Sequence, residues 1–318
     1  MRVLSIDGGG IRGLLPATLL TEIEARTGKP AAELFDLLVG TSIGGITVMA
    51  LIVPDSKDPR KPRYSAKALD DLFAEVAPRI FSISGRRRLR TGDRLLHEKY
   101  PNEVVEEVLE EFFGDTPLAA ALAPAMVTSY DTERRHPLMF KSEKAKREPE
   151  WNLPMRIVGR AAIAAPTYFE PLPLETATGE RCTCVDGAVY ANNPAMCAYA
   201  EAMKRIPRKD LFMVSIGTGT PTGPLPYEEL REWGLVHWAR ALRDLNIDGV
   251  NHVVDHQLEH LLEPHCYYRL QAHIGHKHMP LDDVDSTHLK TMRDAAAKLI
   301  AERDSDLDAI CERLLQPA

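Results

Sequence analysis

The chain has no long hydrophobic run. Its 318 residues contain no stretch of 18 apolar residues, so no helix of it is expected to cross a membrane. The opening MRVLSIDGGG carries an apolar run too short for a secretory signal, and export by that route is not expected. Cysteine is sparse and odd in number: Cys182, Cys184, Cys197, Cys266 and Cys311. Such a set excludes a disulfide framework and points to free thiols in a reducing compartment, the cytoplasm. A basic surplus is also missing. The formal charge is −7, which favours solubility and gives no general reason to bind nucleic acid. Internal repeats and low-complexity linkers are absent as well. What remains is a globular composition of 44% apolar and 27% charged residues, which excludes a disordered or collagen-like chain. At about 150 residues per domain, the length allows two domains or one large one with its own core.

Strands alternate with helices from the start. The run at 3–6 ends in Asp7 and three glycines, as a strand entering a turn does. Residues 13–26 have a helical mixture closed by Gly28 and Pro30. The run LFDLLV at 34–39 is stopped by Gly40, and residues 43–53 are again helical in length and composition. This β-turn-α-β-turn-α opening predicts a three-layer α/β sandwich, a largely parallel sheet with helices on both faces. Further strands are expected at 125–130, 138–141, 181–185, 211–216 and 266–274. Further helices are expected at 65–77 with Ser65 as cap, at 101–113, at 155–165, after Asn193-Pro194, and over most of 228–262 and 285–315. The economical organisation is a core over residues 1–220, with a mostly helical part over 221–318 packing on the same domain.

Three glycine-bearing turns follow strands. The first is Gly8-Gly9-Gly10-Ile11-Arg12-Gly13. Glycines let a ligand approach main-chain amides closely, and the helix N-terminus behind them favours negative charge. The spacing also meets a dinucleotide fingerprint, but the second strand ends in Gly40-Thr41-Ser42 and not in the ribose-holding acid that reading needs. The second turn is Gly40-Thr41-Ser42-Ile43-Gly44, the spacing of a nucleophile elbow. Bulky residues two positions either side of the serine would clash with the adjoining strand and helix. The plainer alternative is an N-cap serine. The third turn is Asp186-Gly187-Ala188. Aspartate beside glycine is commonly a mere turn former, but a serine hydroxyl needs a base. Catalysis in open α/β sheets collects at the carboxyl ends of strands, so all three turns are expected at one edge.

As a set, DGGGIRG at 7–13, GTSIGG at 40–45 and DGA at 186–188 resemble the patatin-like phospholipases. Weaker likenesses lie in SYDTERRHPLMFKS at 129–142, RAAIAAPTYFEP at 160–171 and DGAVYANNPA at 186–195. The similarity covers about residues 1–220. It implies a serine lipid acyl hydrolase of phospholipase A or lysophospholipase type, intracellular and of bacterial kind, working through an acyl-enzyme. Ser42 would be the nucleophile and Asp186 the base. The amides of Gly8, Gly9 and Gly10 would form the oxyanion hole, supported by Arg12. No metal or organic cofactor is implied. The expected partner is lipid at a membrane surface, reached as a peripheral protein of the inner face.

Other residues invite competing readings. Arg86, Arg87, Arg88, Arg90 and Arg94 form a basic loop that would meet anionic headgroups or else stay solvated. His252, His256 and His260 share a helical spacing, with His273, His276 and His278 beyond them. No cysteine or carboxylate completes a metal-ligand spacing with them. Trp233 and Trp238 read as core or cap residues. Two rival functions remain: a conventional Ser-His-Asp esterase using a histidine downstream of Asp186, and a non-catalytic lipid-binding module. A lone carboxylate base would be expected to work well below the pH at which imidazole protonates.

Overall fold

The structure, a computed structural model, describes residues 1–81, 100–176, 178–220, 223–275 and 280–316. The basic loop with Arg86, Arg87, Arg88, Arg90 and Arg94 lies outside the described residues, as do His276 and His278. Among the described residues the strands are β1 (Arg2–Ile6), β2 (Leu37–Thr41), β3 (Ala125–Asp131), β4 (His136–Lys141), β5 (Leu172–Glu175), β6 (Arg181–Asp186), β7 (Phe212–Ile216) and β8 (Tyr267–Leu270). They form one sheet in the order β5-β6-β3-β2-β1-β7-β8, with β4 also paired to β3.

Burial on both faces explains the apolar strands. In β1, Val3 faces one core while Leu4 and Ile6 face the other, and in β2 Leu37 and Val39 oppose Leu38. The larger core lies under helices Leu14–Thr27, Ile43–Ile52, Ala66–Ile80, Asn102–Phe113 and Ser286–Glu302. The smaller lies under Ala195–Ala202 and the far half of Leu235–Leu261, through Ala198, Val254 and Leu258. Helix, sheet and helix thus make three layers.

Several boundaries differ from the sequence reading for local reasons. The LFDLLV run is split: Ala31–Leu34 is a helical turn, and β2 starts only at Leu37. Asp36 is withdrawn from the strand because it accepts from the Arg2 backbone amide at 2.6 Å and its guanidinium at 2.9 Å. The helix expected to reach 165 stops at Ala162, and the Ala164 carbonyl accepts from the Asp186 amide at 3.0 Å. The closing helical region breaks at Arg303 into Ser286–Glu302 and Asp304–Leu315. Strand β5 has no counterpart in the sequence reading. Its Leu-Pro-Leu-Glu is short and proline-bearing, as an edge position permits. Residues beyond 220 join the same body: β8 extends the sheet beside β7, and helices 286–302 and 304–315 pack on helix 14–27.

The sheet is largely parallel, as expected, and its antiparallel part sets the site. Strands β2, β1, β7 and β8 follow β3 in parallel, but β4 and β6 run antiparallel to β3. Along β3, residues 126–131 pair with β4 on one edge. On the other edge, residues up to Thr128 pair with β2 and residues from Ser129 onward pair with β6. Thr41 opposes Thr128, and Asp186 opposes Ser129. The carboxyl ends of β2 and β6 therefore meet head to head on one edge of β3.

Candidate active site

Ser42 follows the last residue of β2. Its φ of 55° and ψ of −126° lie where a residue with a side chain is strained. The flanking glycines make the turn possible. A Cβ on Gly40 would fall 2.3 Å from the Gly44 backbone, and one on Gly44 would fall 2.4 Å from the Ile6 carbonyl oxygen. Main chain begins the following helix: the Ser42 carbonyl accepts from Gly45 and Ile46 amides. Ser42 holds the N-cap position, but its side chain makes no capping bond.

It lies instead beside Asp186 in one cavity, where the hydroxyl favours the charged form of that carboxyl. Asp186 is 2% exposed, and its Oδ1 accepts from the Ala188 amide at 2.8 Å. It is thus a turn former that also faces the cavity with Ser42. Burial pushes its carboxyl up to about 6, against the opposing pull of the Ser42 and Ala188 hydrogen bonds. A carboxylate of that strength is charged at neutral pH yet basic enough to take a proton.

The glycine turn after β1 lies beside this pair, but its members differ. The Gly8 amide donates to the Asn192 carbonyl at 2.9 Å, so it is already committed. The amides of Gly9 and Gly10 donate to no protein acceptor among the described residues. Gly9 and Gly10 line the cavity that holds Ser42 and Asp186. Gly8 and Arg12 do not line it. Arg12 Nη1 reaches the Gly219 carbonyl at 3.4 Å. Of the four residues expected at an oxyanion hole, Gly9 and Gly10 line the cavity with Ser42 and Asp186, while Gly8 and Arg12 are engaged within the turn.

The cavity measures about 390 Å³, within the range of small-ligand sites. Its wall is apolar: Phe73, Val76 and Ile80 from helix 66–80, and Val105, Leu109 and Phe112 from helix 102–113. Asn192 and Asn246 are its amide-bearing members. Among the described residues no histidine lines it. The histidines of helix 235–261 lie elsewhere: His252, His256 and His260 are exposed, with the last two rings 4.2 Å apart. No described group of three His, Cys, Asp or Glu residues could hold a metal ion. Trp233 and Trp238 are half-buried and pack edge to face at 5.4 Å.

Sequence reasoning missed Asn192, Thr218, Arg269 and Leu281. Leu281 braces the turn by accepting from the Ile11 amide at 2.9 Å. Thr218 carried a signal, since it sits in a fourth strand-ending glycine turn, Gly217-Thr218-Gly219, and Asn192 lies within the DGAVYANNPA stretch. The helices that wall the cavity showed amphipathic faces, but nothing in their periodicity separates a cavity wall from core.

A serine in a strained strand–turn–helix elbow, beside a buried carboxylate and unengaged amides, is the arrangement an α/β serine hydrolase would need. Comparison with known proteins narrows this class. The family model described as patatin-like phospholipase matches residues 4–199, and the chain belongs to that family. It is similar to patatin-like protein 3 of Arabidopsis thaliana, with 28% identity over 80% of this chain and 69% of that one. Patatin-T5 of Solanum tuberosum is also 28% identical, over 80% of this chain and 71% of its own. A third relative, the probable inactive patatin-3-Kuras 1 of Solanum tuberosum, is 28% identical over 80% of this chain and 73% of its own. Among solved structures, VipD from Legionella pneumophila aligns with a TM-score of 0.41 and 11% identity, over 95% of this chain and 66% of that one. Family membership supports lipid acyl hydrolysis as the class of activity. No described helix is long and apolar enough to cross a membrane.

Proposed function

We propose that the protein is a serine lipid acyl hydrolase of phospholipase A or lysophospholipase type, working through a Ser42–Asp186 dyad. The observation that carries this reading is Ser42, held in a strained turn, beside the buried Asp186 in one apolar cavity. An acyl chain lies along helices 66–80 and 102–113 with its ester carbonyl over Ser42. Asp186 takes the hydroxyl proton as Ser42 Oγ bonds to the carbonyl carbon. The carbonyl oxygen becomes the oxyanion and receives the Gly9 and Gly10 amides, donors worth about 3–4 kcal/mol each in comparable sites. The C–O bond to the alcohol then breaks, and Asp186 returns the proton to the departing oxygen. Water repeats the cycle on the acyl-enzyme, releasing the fatty acid. The chain needs no metal or organic cofactor for these steps.

The substrate is lipid at a membrane surface, met by a peripheral protein. The five cysteines are free, which suits the cytoplasm. Purified protein and its Ser42→Ala variant, assayed on p-nitrophenyl esters and on phospholipid vesicles, test the reading. Wild type should release a burst of chromophore and take a fluorophosphonate on Ser42, while the variant should do neither. Label on another residue, or turnover surviving in Ser42→Ala, would overturn it. A wild type inert toward every ester and toward the fluorophosphonate would favour the lipid-binding module.

A further inference from the structure

We propose that the turn Gly217-Thr218-Gly219 is the template that aims the oxyanion amides, with Thr218 as its positioning residue. The proposal rests on the Ser42 reading above and concerns residues beyond the stretch matched by the family model, which ends at 199.

A Gly-Gly peptide has little to hold it. Without Cβ atoms on either side, the Gly8–Gly9 peptide can turn over at small steric cost. Turning it over would replace the Gly9 N–H with the Gly8 carbonyl and put an acceptor where an oxyanion forms. The structure pins that peptide from outside. Thr218 Oγ1 donates to the Gly8 carbonyl at 2.6 Å. In a planar trans peptide the carbonyl and the next N–H point to opposite sides. Holding the Gly8 oxygen at Thr218 therefore turns the Gly9 N–H away from Thr218. Gly9 sits so close that a Cβ there would lie 2.3 Å from Thr218 Oγ1. Thr218 is 4% exposed, so water has little access to replace its hydroxyl.

The template is itself anchored to β8. The Gly217 amide donates to the Leu270 carbonyl at 2.9 Å. The Gly219 amide donates to Gln271 Oε1 at 3.0 Å, and Gln271 Nε2 donates to Thr220 Oγ1 at 2.7 Å. Arg269 reaches past β7 to clamp Asp7, at 3.0 Å to Oδ1 and 2.5 Å to Oδ2, and also donates to Ser215 Oγ at 2.9 Å. Arg12 closes the loop through the Gly219 carbonyl. The edge strand thus fixes one glycine turn, and that turn fixes the other.

The experiment compares Thr218→Val, which keeps the shape and removes the donor, with Thr218→Ser, which restores it. Thr218→Val should lower kcat about 10- to 100-fold on a soluble ester, with KM within about twofold and fluorophosphonate labelling of Ser42 slowed in parallel. The acid limb of its pH profile should not move, because Asp186 and Ser42 are untouched. Thr218→Ser should recover most of the loss. Should the valine variant fail to fold, Thr218→Cys, with its weak donor, is read the same way. A folded Thr218→Val with wild-type kcat overturns the proposal. So does a Thr218→Ser that is as slow as Thr218→Val. Turnover surviving in Ser42→Ala would strike the nucleophile assignment instead, and is distinguishable from either result.

Discussion

At the scale of single residues, Asp186 carries two consequences of one burial. Its carboxyl stands at about 6 against an ordinary 3.8. As the proposed base it must be deprotonated, so kcat/KM should rise through about pH 6 and level off above it. Such a limb overlaps that of an imidazole near 6.5. Burial thus brings the carboxylate close to the histidine range, and the two bases separate poorly by pH alone. Substitution separates dyad from triad where pH does not. Asp186→Asn should lose about 10³- to 10⁴-fold in kcat, while single replacement of His252, His256, His260 or His273 should leave most activity. A folded histidine variant as inactive as Asp186→Asn would remove the dyad. The same burial bears on stability. The folded chain keeps the Asp186 proton over a pH range in which the unfolded chain has released it. Stability is therefore lost as pH rises from about 4 to about 6 and stays lost above. The cost is about 3 kcal/mol at roughly 1.4 kcal/mol per pH unit. Asp186→Asn should accordingly melt higher than wild type at pH 8 and level with it near pH 4, by calorimetry at both values. Equal melting temperatures at pH 8 would count against a buried charge at this position.

At the scale of elements, the elbow and the cavity wall behave differently. The elbow was legible because its geometry demands glycine on both sides of Ser42, and the cramped Gly40–Gly44 contact bears out that steric argument. The wall was not legible, because Val105, Val108, Leu109, Phe112 and Phe113 are as apolar as any core face. Leu109 and Phe112 also line the cavity, so a larger side chain there should shorten the space for an acyl chain. Leu109→Trp should abolish hydrolysis of long-chain p-nitrophenyl esters at least tenfold more than that of the butyrate. A uniform loss across chain lengths would place the acyl chain elsewhere.

At the scale of the molecule, the family match ends before the fold does. Leu270 from β8, with Met292, Ala296 and Leu299 from helix 286–302, belongs to the larger core. Burying three or four such side chains contributes several kcal/mol, a large share of the net stability of a domain. A chain ending at Thr220 should therefore be insoluble or lack a cooperative thermal transition by circular dichroism. Soluble, cooperative unfolding of that fragment would show that residues 1–220 stand alone.

Local sequence determined the strand–glycine turns, the obligatory glycines of the elbow and the pairing of a serine with an aspartate in a recognisable family set. These are decided within a few residues, by steric limits on the backbone and by the chemistry a serine nucleophile requires. Tertiary structure decided the rest. Asp186 was expected at a shared strand end of a parallel sheet. It reaches Ser42 because β6 runs antiparallel into the space where β2 stops on β3. The Gly8 amide is engaged because Asn192, some 180 residues away in the chain, accepts it. The direction of the Gly9 amide depends on Thr218, and Thr218 depends on β8. Each of these is a hydrogen bond between residues distant in sequence, and no local pattern encodes which partner a main-chain group will find.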